Sequence, residues 1–105
     1  HVAHNCVLDD EVIFANLATV GGHCHVGMGA FIGGFVVIHQ NCRIGEMAIT
    51  GGFSASRVDI PPYAKTDGRP MRLFGTNVIG LRRRGLSLEE RTALKRAYKY
   101  LWYSN

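Results

Sequence analysis

The chain has 105 residues, enough for one domain with a small core. Its composition, 47% hydrophobic and 19% charged, is that of an ordinary folded protein and excludes a disordered chain; no apolar run approaches the ~20 residues that span a bilayer, so no stable membrane insertion is expected. The net charge of +4 is divided unevenly, with two basic and five acidic side chains in residues 1–60 against ten and three in residues 61–105. A basic C-terminal third implies an acidic partner, either a phosphate-bearing ligand or an acidic protein. Nucleic acid is the weaker choice, because the cations lack exposed aromatics interleaved along a strand. Three cysteines are too few for a disulfide-stapled scaffold and an odd number leaves one unpaired, which favours a reducing, cytoplasmic setting; no secretory leader is expected.

Cut into sixes, residues 1–60 read HVAHNC, VLDDEV, IFANLA, TVGGHC, HVGMGA, FIGGFV, VIHQNC, RIGEMA, ITGGFS and ASRVDI. The second place holds Val2, Leu8, Phe14, Val20, Val26, Ile32, Ile38 and Ile44 before Thr50 and Ser56. The sixth place is mostly small or β-branched, and glycine gathers at the third, in Gly21, Gly27, Gly33, Gly45 and Gly51. Such a period is the signature of a β-helix. Each six supplies one short strand whose second residue points inward, and glycine or a small polar residue turns the corner. Three strands close a triangular coil of 18 residues, so residues 1–60 make a little over three coils. No 3.6-residue apolar period runs through this region, which excludes a helical or doubly wound fold.

Residues 18 apart then lie over one another, about one sheet spacing of ~4.8 Å per step. Cys6, Cys24 and Cys42 share a place and are expected to form an inward ladder of small thiols rather than a zinc site. His4, Gly22 and Gln40 form one column, Ala3, Gly21 and His39 a second, and Asn5, His23 and Asn41 a third. The columns are adjacent, so His4, Gly22, His23, His39 and Gln40 make one patch with His1 at its edge. His25 falls outside it and reads as surface. Two chemistries suit such a patch. One is general base catalysis by an imidazole, which changes protonation near neutrality, with the Gly22 N–H offered to a developing oxyanion. The other is a metal site of three imidazoles, shared between chains. Spacing alone does not separate them.

After Asp59 the period stops at "IPPYAK", because Pro61 and Pro62 cannot extend a central strand. Residues 61–74 are expected to be a loop crossing the coil, and residues 75–105 the start of a helical C-terminal domain. Within that domain a short helix over about 75–84 carries "RRR" at its end, where cations suit the helix dipole, and Gly85 stops it. "SLEE" is a capping box, Ser87 with Glu90, opening a helix over about 88–103. Leu94, Ala97, Tyr98, Leu101 and Trp102 share its apolar stripe, which is expected to pack on the prism or on a second helix.

"HVAHNC", "GGHCHVG", "VVIHQNC", "PPYAKTDGRP" and "FGTNVIGLRRRGLS" together resemble the UDP-N-acetylglucosamine acyltransferases that begin lipid A synthesis in Gram-negative bacteria. The resemblance covers essentially the whole chain, and "FGTNVIGLRRRG" is its most telling part. It implies a left-handed parallel β-helix followed by a small α-helical part, assembled as a homotrimer with active sites in grooves between subunits. It further implies transfer of a β-hydroxyacyl chain from acyl carrier protein to the 3-hydroxyl of UDP-N-acetylglucosamine, without a cofactor. Carried over by residue, His4 matches the general base and Gly22 the oxyanion amide. His1, His23, His39 and Gln40 match groups lining the sugar-nucleotide site, and Asn77, Arg83 and Arg84 match residues near the nucleotide. Gly52 matches the place where side-chain size limits acyl length. The family commonly has aspartate where Asn5 stands and often glutamate at Ile79. The chain begins inside a coil and is expected to be a fragment of a longer protein, inactive alone. Two other readings of the scaffold are a zinc enzyme resembling the trimeric carbonic anhydrases and a catalytically silent trimer that serves as a binding module.

Overall fold

The computed structural model describes residues 1–103, with side chains to residue 100. Nine two-residue strands carry the repeat: β1 (Val7–Leu8), β2 (Ile13–Phe14), β3 (Thr19–Val20), β4 (His25–Val26), β5 (Phe31–Ile32), β6 (Val37–Ile38), β7 (Arg43–Ile44), β8 (Ile49–Thr50) and β9 (Ala55–Ser56). They form three parallel sheets, β1–β4–β7, β2–β5–β8 and β3–β6–β9, in which every pairing joins residues 18 apart, such as Val7 with His25 and Thr19 with Val37. The result is a three-sided parallel β-helix of about three turns.

Inside it, the second-place residues Val20, Val26, Ile32, Ile38 and Ile44 are no more than 2% exposed. The sixth-place Cys24, Ala30, Val36, Cys42 and Ala48 fill the corners between them. Burying an aliphatic side chain of this size contributes roughly 1.5–3 kcal/mol, so the stacked column is the main source of cohesion. Thr50 and Ser56 interrupt the apolar pattern but are not left unpaired. Thr50 Oγ1 donates to Phe31 O at 3.2 Å, and Ser56 Oγ donates to Val58 O at 2.8 Å. Val2 and Leu8, with no coil above them in this chain, are 41% and 43% exposed.

The corners are not turned by the third-place glycines. From Asn5 to Phe53 it is the fifth-place residue of each six that enters the left-handed backbone region, including Asn5, His23, Asn41 and Phe53 at φ 60° to 64°. Third-place glycine answers a different need, close approach of the next coil. A Cβ on Gly21 would lie 2.7 Å from the backbone N of Gln40.

Pro61 and Pro62 end the regular winding by a register slip. The 18-residue repeat would pair them with Arg43 and Ile44, but neither has an N–H to donate. Ile60 pairs with Ile44 instead, through Gly45 N to Ile60 O at 2.8 Å and Ile60 N to Arg43 O at 2.9 Å. Past the prolines, residues 61–74 are not a plain loop. β10 (Ala64–Asp67) joins β8 in parallel, with Lys65 opposite Ile49, and β11 (Arg72–Thr76) folds back on β10 as an antiparallel hairpin. The reason is alternation: Ala64 and Thr66 are buried while Lys65 and Asp67 face out, so the segment caps the sheet as a further strand.

The expected short helix begins later, as α1 (Val78–Arg83), because residues 72–76 are committed to β11. α2 (Leu88–Tyr103) opens on the capping box, with Ser87 N donating to Glu90 Oε1 at 2.9 Å and Glu90 N donating to Ser87 Oγ at 3.1 Å. α2 packs on β11, and Tyr98 joins the core cluster while its hydroxyl donates to Pro62 O at 2.8 Å. Leu94 is half-buried and Ala97 exposed; the side chains of Leu101 and Trp102 lie outside the described residues. Among the described residues no helix is long and apolar enough to cross a membrane.

Candidate active site

One corner of the prism, between the β3–β6–β9 and β1–β4–β7 sheets, carries most of the histidines. Its fourth and fifth places are His4 and Asn5, then Gly22 and His23, then Gln40 and Asn41. Backbone bonds tie these levels together: His23 N donates to His4 O at 3.0 Å, and Asn41 N to Gly22 O at 2.9 Å.

Because the middle level has no side chain at Gly22, the His4 ring folds down onto its backbone. A Cβ there would stand 2.8 Å from both Cε1 and Nε2 of His4, and Gly22 is buried beneath the imidazole. Among the described residues the Gly22 N–H has no acceptor. His23 meets His4 edge-on, with ring centroids 5.0 Å apart and planes at 86°. His4 Nδ1 lies 3.2 Å from Asn5 Oδ1. That oxygen only accepts, so the contact places the ring proton on Nδ1 and leaves the Nε2 lone pair free. One level down, His39 Nδ1 donates to Gln40 O at 3.2 Å, which leaves its Nε2 outward. His39 and Gln40 are exposed, and the coil pairing sets His1 at the edge of the same corner, its carbonyl accepting from Val20 N at 3.0 Å.

The cysteine ladder lies just inside this corner. Cys24 and Cys42 are 1% and 3% exposed, and burial pushes both thiols above the usual cysteine range. Cys6 Sγ donates to Gly21 O at 3.1 Å, and Cys24 Sγ to His39 O at 3.2 Å, so the thiols brace the backbone beneath the histidines. Among the described residues, no three His, Cys, Asp or Glu side chains converge on a point suited to a metal ion.

The remaining candidates sit at the other two corners of this chain. Asn77 caps α1 through Oδ1, which accepts from Gly80 N at 3.0 Å, while its Nδ2 donates to Met47 O at 2.9 Å. Both ends of that side chain are thus occupied by the fold. Arg84 reaches Glu46 at 3.5 Å on the same corner, and Arg83 is exposed beside it. Gly52 stands at the third corner, exposed, where a Cβ would meet Gly34 O at 3.4 Å. The fold therefore gathers His4, Gly22, His23, His39 and Gln40, and does not bring Asn77, Arg83, Arg84 or Gly52 to them within one chain. Column stacking missed a further pair. His25 Nε2 lies 3.0 Å from both carboxylate oxygens of Asp9, joining two coils on the adjoining sheet.

A parallel β-helix with hexapeptide-paced coils, a histidine corner and a helical tail defines a protein of the hexapeptide-repeat class, and the comparisons fall within that class. A galactoside acetyltransferase solved with coenzyme A shares the fold over 73% of this chain, at a TM-score of 0.62 and 23% identity. A family model described as Udp N-acetylglucosamine O-acyltransferase, Domain 2, matches residues 59–105. The acyl-[acyl-carrier-protein]–UDP-N-acetylglucosamine O-acyltransferase of Thiobacillus denitrificans is 48% identical over 102 residues, covering 97% of this chain and 40% of the relative. That of Herminiimonas arsenicoxydans is 46% identical over 105 residues, covering all of this chain and 40% of the relative. The solved LpxA of Acinetobacter baumannii superposes with a TM-score of 0.84 at 39% identity, over 96% of this chain and 39% of that one. The chain belongs to the UDP-N-acetylglucosamine O-acyltransferase family, and it spans about two fifths of the length of the curated relatives it matches.

Proposed function

We propose that the chain is the catalytic segment of a cytoplasmic, homotrimeric acyltransferase. It moves a β-hydroxyacyl chain from acyl carrier protein to the 3-hydroxyl of UDP-N-acetylglucosamine, the first step of lipid A synthesis. The observation that carries this reading is the His4 imidazole lying on the bare backbone of Gly22. A base and an amide donor side by side are what acyl transfer from a thioester requires.

His4 Nε2 takes the proton of the sugar 3-hydroxyl as that oxygen attacks the thioester carbonyl. The Gly22 N–H donates to the oxyanion that forms. When the intermediate collapses, the carrier thiol leaves and receives the proton from His4. Asn5 holds the working tautomer through Nδ1. His23 limits rotation of the base by its edge-on contact, and His1, His39 and Gln40 line the sugar-nucleotide side. The α1 tail of a neighbouring subunit brings Arg83 and Arg84 to the diphosphate, where guanidinium forks suit phosphate oxygens. Gly52 leaves the acyl groove open to a long chain. The activities for which the relatives are named support the reaction, and the basic tail suits an acidic carrier protein.

In the assembled protein, His4→Ala is expected to abolish acyl transfer while leaving the melting temperature unchanged, because the ring is exposed. Turnover near that of the unaltered protein would refute the assignment.

A further inference from the structure

The N–H that the acyl-transfer reading assigns to the oxyanion belongs to the peptide between Gly21 and Gly22. A peptide is planar and trans, so its C=O and N–H point in opposite directions. Whatever fixes the Gly21 carbonyl therefore also aims the Gly22 N–H. The two flanking peptides are fixed by the backbone. Ala3 N donates to Val20 O at 3.1 Å and Gly21 N to Ile38 O at 2.9 Å, which holds the peptide before. Asn41 N donates to Gly22 O at 2.9 Å and His23 N to His4 O at 3.0 Å, which holds the peptide after. The one between them has a different partner. Among the described residues the Gly21 carbonyl accepts from one donor, the Cys6 thiol at 3.1 Å.

Elsewhere the third-place carbonyl is held by the backbone. Along the other two corners Ala15, Gly27, Gly33 and Gly45 accept there from the N–H three residues on, at 3.2 to 3.3 Å. At the histidine corner, among the described residues, no N–H takes that position. A cysteine of the coil above does so instead, and the arrangement repeats one level down, where Cys24 Sγ donates to His39 O at 3.2 Å. The thiol approaches from within, since Cys6 is half-buried and packs on the core cluster. It draws the carbonyl inward, which turns the N–H outward on the corner that His4 covers. A lock matters here because the peptide lies between two glycines, whose backbones turn more freely than those of any other residue. Hydrogen bonding at the carbonyl also polarises the peptide and makes its N–H a stronger donor.

We propose that Cys6 is a positioning residue for the reaction: its thiol aims the Gly22 N–H at the oxyanion without touching substrate. The use of that N–H rests on the acyl-transfer reading; the hold on the peptide does not.

Two substitutions separate donation from packing. Cys6→Val fills the corner without a donor, and Cys6→Ser keeps a donor but fills the corner less well. In the assembled protein, Cys6→Val is expected to lower kcat about tenfold, a fraction of what removing an oxyanion donor costs, with KM for the sugar nucleotide almost unchanged. Cys6→Ser should recover most of that loss, because its hydroxyl donates to the same carbonyl. Melting temperatures should rank the other way, with Ser below Val. A kcat that follows melting temperature rather than the donor overturns the positioning role, and so does an unchanged kcat in Cys6→Val when His4→Ala abolishes transfer. A crystal structure of the Val variant reads the hold itself. The Gly21 carbonyl is expected to leave its inward position, and a carbonyl that stays there overturns the proposal. A turned carbonyl in the variant, with no acyl transfer even in the unaltered protein, would sink the reaction and leave the hold on the peptide standing.

Discussion

At Gly22 a single hydrogen atom separates a working geometry from a blocked one. Alanine there would put a methyl group 2.8 Å from two atoms of the His4 ring, and the exposed ring would be pushed out of its place against Asn5 and His23. Gly22→Ala is therefore expected to lower turnover tenfold or more, a loss of roughly 1.4 kcal/mol in transition-state stabilisation, with KM for the sugar nucleotide changed much less. An unchanged kcat would remove Gly22 from the mechanism. Asn5 offers the converse experiment. Its amide fixes the His4 tautomer but lends no charge to the imidazolium formed during transfer, so Asn5→Asp should raise kcat. The His4–His23 contact was legible in the sequence because both lie at places fixed by 18-residue stacking. The His25–Asp9 pair was not, because it runs diagonally, from the first place of one six to the third place of another, and column counting sees only vertical neighbours.

Each strand is only two residues long, so an element here is better taken as a column of stacked residues than as a strand. Ile38 is the middle of one, between Val20 and Ser56, and is 1% exposed. Ile38→Ala is expected to cost about 2–5 kcal/mol by chemical denaturation, since the flanking coils cannot collapse into the gap. Columns were legible because the six-residue period repeats without a slip up to Asp59. The β10–β11 hairpin was hidden, because its alternation of buried and exposed residues lasts only four residues before Gly68 and Pro70 and follows two prolines.

The tail contributes a second prediction at this scale. Asn77 fastens α1 to the coil through Met47 O and caps it through Gly80 N, so it acts on any ligand by holding the helix that bears Arg83 and Arg84. Asn77→Ala should lower stability by about 1 kcal/mol and nucleotide affinity together, whereas Arg83→Ala should lower affinity alone. At the start of α2, the Ser87 N–H and hydroxyl hold the Glu90 carboxyl below its usual range. A lowered carboxylate stabilises the fold above the ordinary carboxylate pKa and ceases to do so as pH falls through the lowered value. In Glu90→Gln that part of the acid dependence of melting should disappear, and the change should be small, since the group is exposed.

The molecule as a whole distributes its candidate residues over three corners: histidines on one, the α1 arginines on a second, Gly52 on the third. One copy cannot bring them to one substrate, and a groove between copies is the arrangement that would. Gly52→Met tests the acyl side of it. A Cβ there meets Gly34 O at an unforced 3.4 Å, so the fold should tolerate the change while the preferred acyl chain shortens by several carbons. An unaltered chain-length profile would count against the groove. The prism and its histidine corner could be read from the period; the separation of the tail from that corner could not, because it depends on where Pro61 and Pro62 release the chain.

The central claim is that His4, seated on Gly22, is the base for a sugar hydroxyl. A crystal structure of the assembled protein with bound UDP-N-acetylglucosamine measures it directly. The account predicts the 3-hydroxyl oxygen within about 2.6–3.2 Å of His4 Nε2, on the side open to the Gly22 N–H. A nucleotide sugar seated away from the histidine corner, with His4 touching no part of it, would contradict the account.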